Sequence, residues 1–179
     1  MAFVTSFLIL AKLYAPVRRA LGILEVCHMK IRKYLEKDWS RICHIHDLAR
    51  LDELRGASLE DAFLPLEVAA KNENIFEYDL LVAEHNGVVA GFIAYDEEEI
   101  AWLYVDPTLY RIGIGKALVK AVIEASSSAF TIEVLKGNSA ALQFYLNAGF
   151  SMVETHSGVM PGNERFDVTV HKLCNARNA

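Results

Sequence analysis

The chain has 179 residues, of which 53% are hydrophobic and 23% charged, with 4 prolines and a formal net charge of −5. That length and mix suit one globular domain able to bury a core, and they exclude a disordered polar chain. The negative balance gives no broad electrostatic ground for a nucleic-acid or anionic-membrane partner, so either would depend on a local basic patch.

The first stretch, "MAFVTSFLIL", is apolar, but Lys12 and then Arg18 and Arg19 interrupt it well short of the ~20 residues that span a bilayer. A secretory leader carries its positive charge before the apolar run, whereas here the charges follow it. Residues 1–28 are read as an apolar extension of uncertain status, either packed on the domain or not part of the native start, with a membrane-surface segment as the weaker alternative. Residues 29–174 are read as a single domain and 175–179 as a tail. Cys27, Cys43 and Cys174 are widely spaced and form no CxxC pair, which points to buried thiols in a reducing, cytoplasmic compartment.

From residue 29 the chain reads as alternating elements. "IRKYL" alternates as a first strand. "DWSRICHIHDLARLDEL" places Ile42, Ile45, Leu48, Ala49 and Leu51 at helical spacing, with Gly56 expected to close the helix. Ser58 followed by Glu60 and Asp61 predicts the capped start of a second helix. "LLVAEHNGVVAGFIAY" predicts two strands joined by an Asn86-Gly87 turn. "IAWLYV" is a third strand, stopped by Asp106-Pro107. A helix is expected from Gly113, with Ala117, Leu118, Ala121, Val122 and Ala125 as its stripe. "FTIEVL" is a strand, "NSAALQFYLNAG" a helix capped by Asn138 and ended by Gly149, and "FSMVETH" and "RFDVTVHKL" are two last strands. The order is β-α-α-β-β-β-α-β-α-β-β, an α/β (α+β) fold with a central mixed, mostly antiparallel sheet flanked by helices.

The turn "YRIGIGKAL", residues 110–118, carries chemistry. A P-loop would need Gly at 110 and Ser or Thr at 117, where Tyr110 and Ala117 stand; a dinucleotide fingerprint would need Gly at 118, where Leu118 stands. Neither motif is present. Gly113 and Gly115 nevertheless remove Cβ atoms where backbone could approach a ligand, and the amides from Arg111 to Lys116 would sit at a helix N-terminus that favours an anion. By itself the turn also fits a plain strand-to-helix connection. A second constellation follows across one strand: Asn138, Ala141, Phe144-Tyr145 and Gly149-Phe150, with Asn138 and Tyr145 on one helix face.

These two segments in this order resemble the GNAT superfamily of acyl-CoA-dependent N-acetyltransferases, and the resemblance extends over roughly residues 29–174. It implies transfer of an acetyl group from acetyl-CoA to a primary amine, either a small molecule or a peptide N-terminus. Leu103, Tyr104 and Val105 would pair with the pantetheine arm, in a slot where the family's bulged strand parts from "FTIEVL". The Val105 amide would face the thioester oxygen. Arg111, Ile112, Gly113, Ile114, Gly115 and Lys116 would hold the pyrophosphate, with Asn138 and Ala141 beside the arm. Tyr145 matches the family tyrosine that protonates the departing sulfur, and Glu133 matches a glutamate that serves as base in the ribosomal-protein branch. Tyr110 departs from the Gln or Arg usual at the first motif position.

Other readings stand beside these. Tyr145 also fits a core tyrosine, Asn138 a simple cap, Glu133 a solvent-facing strand residue, and Glu154 and His156 are further base candidates. A sensor or interaction module of the same fold, binding acyl-CoA without turnover, is the alternative function. His44 and His46 lie two apart on a helix and point different ways, so no metal is expected. The acceptor site is expected between residues 39–70 and the loop 157–166, with Asp61, Glu67 and Glu97 to Glu99 as possible sources of negative potential. A homodimer through the last strands or the apolar extension remains open.

Overall fold

The computed structural model describes residues 28–175; the apolar extension through Cys27 and residues 176–179 of the tail lie outside the described residues. Asn86 and Gly87 both take left-handed backbone, with φ of 52° and 81°, the conformation that a two-residue hairpin turn demands. They join β2 (Asp79–His85) to β3 (Val88–Tyr95). β1 (Met29–Lys33) pairs outside β2, and β4 (Ile100–Val105) outside β3, all antiparallel. β3 is buried at every position from Val89 to Ala94 because helices cover both faces. α1 (Trp39–Ala57) and α2 (Leu66–Asn72) set Ile42, Ile45 and Leu66 against Val82, Phe92 and Trp102. On the opposite face α3 (Ile114–Ala125) sets Leu118 and Val122 against Ala83, Ile93 and Ile100.

The second sheet contains β5 (Thr131–Leu135), β6 (Phe150–Met160) and β7 (Asn163–Asn175) in the order β5-β7-β6, with α4 (Ser139–Asn147) between β5 and β6 in sequence. The element order is the one expected. The sheet is divided, however: both halves are antiparallel, and a single parallel bridge, Glu99 to Thr131, joins them. The Thr131 N–H reinforces it by donating to the Glu98 carbonyl at 2.8 Å. Ala101 is an extra residue of β4 opposite β3, a bulge just beyond that bridge, and from there β4 and β5 part.

Several boundaries differ from the sequence expectations. Gly56 lies inside α1, and Ser58 ends the helix in left-handed backbone (φ 57°), its N–H donating to the Arg55 carbonyl. Ser58 therefore caps a C-terminus and cannot also open a helix. Glu60–Ala62 forms one 3₁₀ turn, and α2 begins only after Pro65. The buried residues of α1 are Ile42, Cys43, Ile45, His46, Ala49 and Leu54, while Leu48 is 40% exposed. In α3 it is Ile114, Leu118, Val119 and Val122, with Ala125 exposed. β6 and β7 reach Pro161-Gly162, so residues 157–166 are the end of a long hairpin, not an open loop.

Gly56 has a different task. A Cβ placed on Gly137 would lie 2.5 Å from the Gly56 carbonyl oxygen, and Gly137 has a φ of +110°. The end of α1 thus rests directly on the loop that leads from β5 into α4. Gly137→Ala should lower stability by about 3 kcal/mol through strain and overlap, read as a lower denaturant midpoint at unchanged slope. Gly158→Ala, with nothing within 4 Å of its Cβ, should change the midpoint by less than ~0.5 kcal/mol equivalent. Equal effects would remove the special role of the Gly56–Gly137 contact.

Candidate active site

The site begins on β4. The Asp106 N–H donates to the Ala90 carbonyl at 2.9 Å, toward β3. Strand alternation then turns the N–H groups of Leu103 and Val105 the other way, to the edge where β5 has left. Side chains divide by the same alternation. Leu103 and Val105 join the α3 core, and Trp102 and Tyr104 face α1.

Beyond β4, Asp106 is buried and caps the 3₁₀ turn Pro107–Leu109 by accepting from the Thr108 N–H at 2.9 Å and its hydroxyl at 2.7 Å. Arg41 of α1 pairs with the same carboxylate and donates to the Val89 carbonyl at 2.9 Å. Despite burial, these donors hold the Asp106 carboxyl below the usual carboxylate range. The chain then enters the glycine turn, where Arg111 and Gly113 have φ of 70° and 96°. Gly113 is the residue before α3, and the amides of Ile114, Gly115 and Lys116 precede the first intrahelical donor, Ala117. Arg111, Ile112, Gly113 and Lys116 are exposed around this opening. Gly115 approaches α4, where its Cβ would meet the Phe144 ring at 3.4 Å. Tyr110 is 43% exposed and its phenol is pushed up to about 12 by burial and by Asp52, Glu53 and Asp106.

α4 brings Asn138 and Tyr145 to the same region. Asn138 caps the helix, its side-chain oxygen accepting from the Ala141 N–H at 3.1 Å. Tyr145 is 5% exposed and stacks edge-on against Phe144 and Phe150. Its burial, with Glu53 and Tyr104 nearby, holds the phenol well above its ordinary pKa, so it stays protonated. Glu133 stands on β5 with a 49% exposed side chain, and His156 of β6 reaches it at 3.4 Å. The electrostatic neighbours that shift Tyr145 are Glu53 and Tyr104.

The sequence reading did not single out the polar group on the α1 side of β4. Tyr104 donates to Glu53 at 2.9 Å, Arg50 donates to Glu53 at 2.7 Å, and Arg50 also reaches Met160 Sδ at 3.5 Å. His46 lies edge-on to Tyr104 with centroids 4.8 Å apart, and burial pushes its pKa down. At the end of α2, burial pushes Glu73 up to about 7 against the opposing pull of Arg50, with Glu53 and Glu164 adding to the rise. Asn72 donates to the Gly162 carbonyl at 3.0 Å and Asn163 to the Ala62 carbonyl at 3.0 Å, so the β6–β7 tip closes over this corner. A signal was available: Glu53 lies in line with Ile42, His46 and Ala49 on the buried face of α1. The acidic residues expected near the acceptor differ in exposure and partners. Asp61 and Glu67 are exposed, Asp96 orders the turn through Glu98 and Glu99, and Glu99 accepts from Tyr78 at 2.7 Å. Among the described residues no cluster of three potential metal ligands occurs, and no helix is long and apolar enough to cross a membrane.

Residues 76–152 match the acetyltransferase (GNAT) domain family. In fold the chain is similar to a GCN5-related N-acetyltransferase from Rhodopseudomonas palustris, with a TM-score of 0.69, 18% identity and coverage of 82% of this chain and 94% of that one. It is similar also to the ribosomal-protein-S18-alanine N-acetyltransferase from Escherichia coli (TM-score 0.62, 20% identity, 85% and 96% covered). yncA from Salmonella typhimurium, determined with its cofactor acetyl-CoA, gives a TM-score of 0.63 at 19% identity, with 85% and 95% covered. A curated relative, the UPF0157 protein YqkA of Bacillus subtilis (strain 168), is 38% identical over 76 residues, which span 39% of this chain and only 22% of that protein. The match over residues 76–152 and the likeness in fold together support a GNAT acetyltransferase.

The Glu73 shift has a consequence for stability. Its folded-state pKa is raised, so the group contributes stability that is fully present below the ordinary value of 4.5 and is lost as pH rises through about 7. Glu73→Gln keeps the shape without the charge. It should leave the melting temperature unchanged at pH 4 and raise it at pH 8; the same melting temperatures as wild type at both pH values would show that Glu73 is not desolvated.

Proposed function

We propose that the protein transfers an acetyl group from acetyl-CoA directly to a primary amine. The observation that carries this reading is the outward-facing amide edge of β4, followed through the 3₁₀ turn Pro107–Leu109 by the glycine turn, with Tyr145 in the same apolar cluster as Leu103 and Val105. The pantetheine arm is strand-like in its hydrogen bonding and suits the Leu103 and Val105 edge as an added strand would. The pyrophosphate suits the turn from Arg111 to Lys116, where helix-end amides and two cationic side chains favour an anion. The acetyl thioester would lie between these elements, where acetyl-CoA supplies the activated acyl group.

The residues of the chain supply position, polarity and protons. The Val105 N–H is the donor for the oxyanion that develops on the thioester carbonyl. Tyr145, kept protonated by burial, is the acid for the departing sulfur. Asn138 keeps the N-terminus of α4 in place through its cap, which sets Ala141 and Tyr145 beside the slot. Glu133, carried over from the family resemblance, is one candidate for the base. The acceptor is a small-molecule amine or a peptide N-terminus; relatives of similar fold include acetyltransferases of ribosomal proteins.

Calorimetric titration with acetyl-CoA tests the cradle. Wild type should bind, and the Gly113→Asp, Gly115→Asp double variant, checked for folding by circular dichroism, should not, because it adds two negative charges and side chains at the turn. Failure of well-folded wild type to bind would sink the reading. Tyr145→Phe should keep acetyl-CoA affinity while lowering kcat about 10²-fold or more; unchanged kcat would remove Tyr145 as the acid.

A further inference from the structure

We propose that Arg41 of α1 is a positioning residue for the anion-binding turn, acting through the buried Asp106 carboxylate to fix the path by which β4 leads into that turn. This rests on the acetyltransferase reading above and extends it to a side chain of α1 that sets how tightly the acyl donor is held.

Three segments meet at the carboxylate. Arg41 pairs with Asp106 Oδ2, and Arg41 Nε donates to the Val89 carbonyl at 2.9 Å. Asp106 Oδ1 accepts from the Thr108 N–H at 2.9 Å and from its hydroxyl at 2.7 Å. On the backbone, the Asp106 N–H donates to the Ala90 carbonyl at 2.9 Å, and the Asp106 carbonyl accepts from the Leu109 N–H at 2.8 Å. One residue thus joins α1, the start of β3 and the exit of β4. Among the described residues it is also the one buried residue between Val105 and Ile114. The rest of that path is half-buried or exposed, so its course depends on the hold at Asp106.

An independent feature fixes the far end of the path. Gly91 of β3 lies opposite Val105. A Cβ on Gly91 would come within 2.9 Å of the Tyr104 carbonyl oxygen and 3.0 Å of Ile114 Cγ2. The first residue of α3 therefore packs on β3 with no room for a side chain between them. A Cβ on Gly115 would meet Phe144 at 3.4 Å and Val105 Cγ2 at 3.7 Å. With α3 seated on β3, β4 and α4, the amides of its first turn have a fixed place. The segment from Asp106 to Gly113 must then meet them at one angle, and the Arg41–Asp106 pair sets it.

Charge alone makes the opposite prediction. An anion at the turn is attracted by Arg41 and repelled by Asp106, so a purely electrostatic role has Arg41→Met weaken binding and Asp106→Asn strengthen it. Positioning has both weaken it. An amide offers one acceptor oxygen and cannot serve both Arg41 and Thr108. Because the two residues act as one unit, their losses should not add.

The test is calorimetric titration of the full chain with acetyl-CoA, and with ADP by displacement of acetyl-CoA. ADP carries a pyrophosphate without the pantetheine arm. Melting curves confirm that each variant is folded at the titration temperature. Arg41→Met and Asp106→Asn should each bind both ligands about 10-fold more weakly, and the double variant should bind within about twofold of the weaker single variant. Thr108→Val, which removes one hydroxyl bond at an exposed position, should lose about threefold with both ligands. The proposal is overturned if Asp106→Asn binds as tightly as wild type or tighter, if the two losses add in the double variant, or if acetyl-CoA weakens while ADP does not. It also falls if the variants only melt lower and keep wild-type affinity. Should Arg41→Met or Asp106→Asn fail to fold, Thr108→Val decides: a loss with both ligands supports the proposal and unchanged affinity overturns it. Absence of acetyl-CoA binding by wild type is a different result, and it would bring down the acetyltransferase reading itself.

Discussion

The structure depends on a strand that loses its neighbour. β4 is paired with β3 along its length, but among the described residues its other side is bridged to β5 only at Glu99, just before it begins, and the N–H groups of Leu103 and Val105 face away from β3. An unpaired strand edge within a protein must be hydrated or met by a ligand, because buried peptide groups do not stay unpaired. The cleft can persist only if the two sheets are fixed to one another elsewhere. They are joined at one end by the Glu99–Thr131 bridge and brought together at the other by the Gly56–Gly137 contact under α1. Between these points the sheets share one apolar core, in which Ile93 and Ile100 of the first meet Ile132, Val134 and Leu173 of the second.

Around that cleft the polar groups are stabilised by two different kinds of physics. The glycine turn relies on backbone: left-handed residues, uncommitted helix-end amides, and an anchor in which Arg41 ties Asp106 to α1. Such a site attracts an anion through geometry that no titration removes. The opposite side relies on desolvation. Burial holds Tyr104 and Tyr145 neutral, and burial at the end of α2 likewise brings Glu73 close to neutrality at physiological pH. The first arrangement can hold a phosphate group and the second can handle protons, and β4 is the element common to both.

Much of this was legible where the signal is local. Asn86-Gly87 specifies its turn by backbone conformation, and Asn138 caps α4 as its position before a helical run predicts. Gly113 lies where a left-handed residue must precede α3. Local signals misled where two were in competition. Ser58 is a good N-cap in isolation, but the end of α1 needed a left-handed residue and took it, leaving Pro65 to start α2. Gly56 looked like a helix terminator, yet its lack of a side chain matters for a residue 81 positions away, which no helical pattern encodes. Arg41 with Asp106, and Glu73 with Arg50, are likewise pairings made only by the fold.

Glu53 shows why such residues are worth seeking on apolar helix faces. A polar network between α1 and β4 is not the most stabilising way to join them, since desolvation offsets much of what the ion pair and hydrogen bonds return. An all-apolar interface there would pack as well and would need no partners. What the Arg50–Glu53–Tyr104 arrangement adds is direction: it fixes a phenol and a carboxylate at one end of the cleft and leaves the guanidinium committed. Glu73 is thereby denied a full counter-ion, and its carboxyl rises toward neutrality instead of forming a salt bridge. The stability given up at that corner is the physical origin of a group able to exchange a proton near neutral pH.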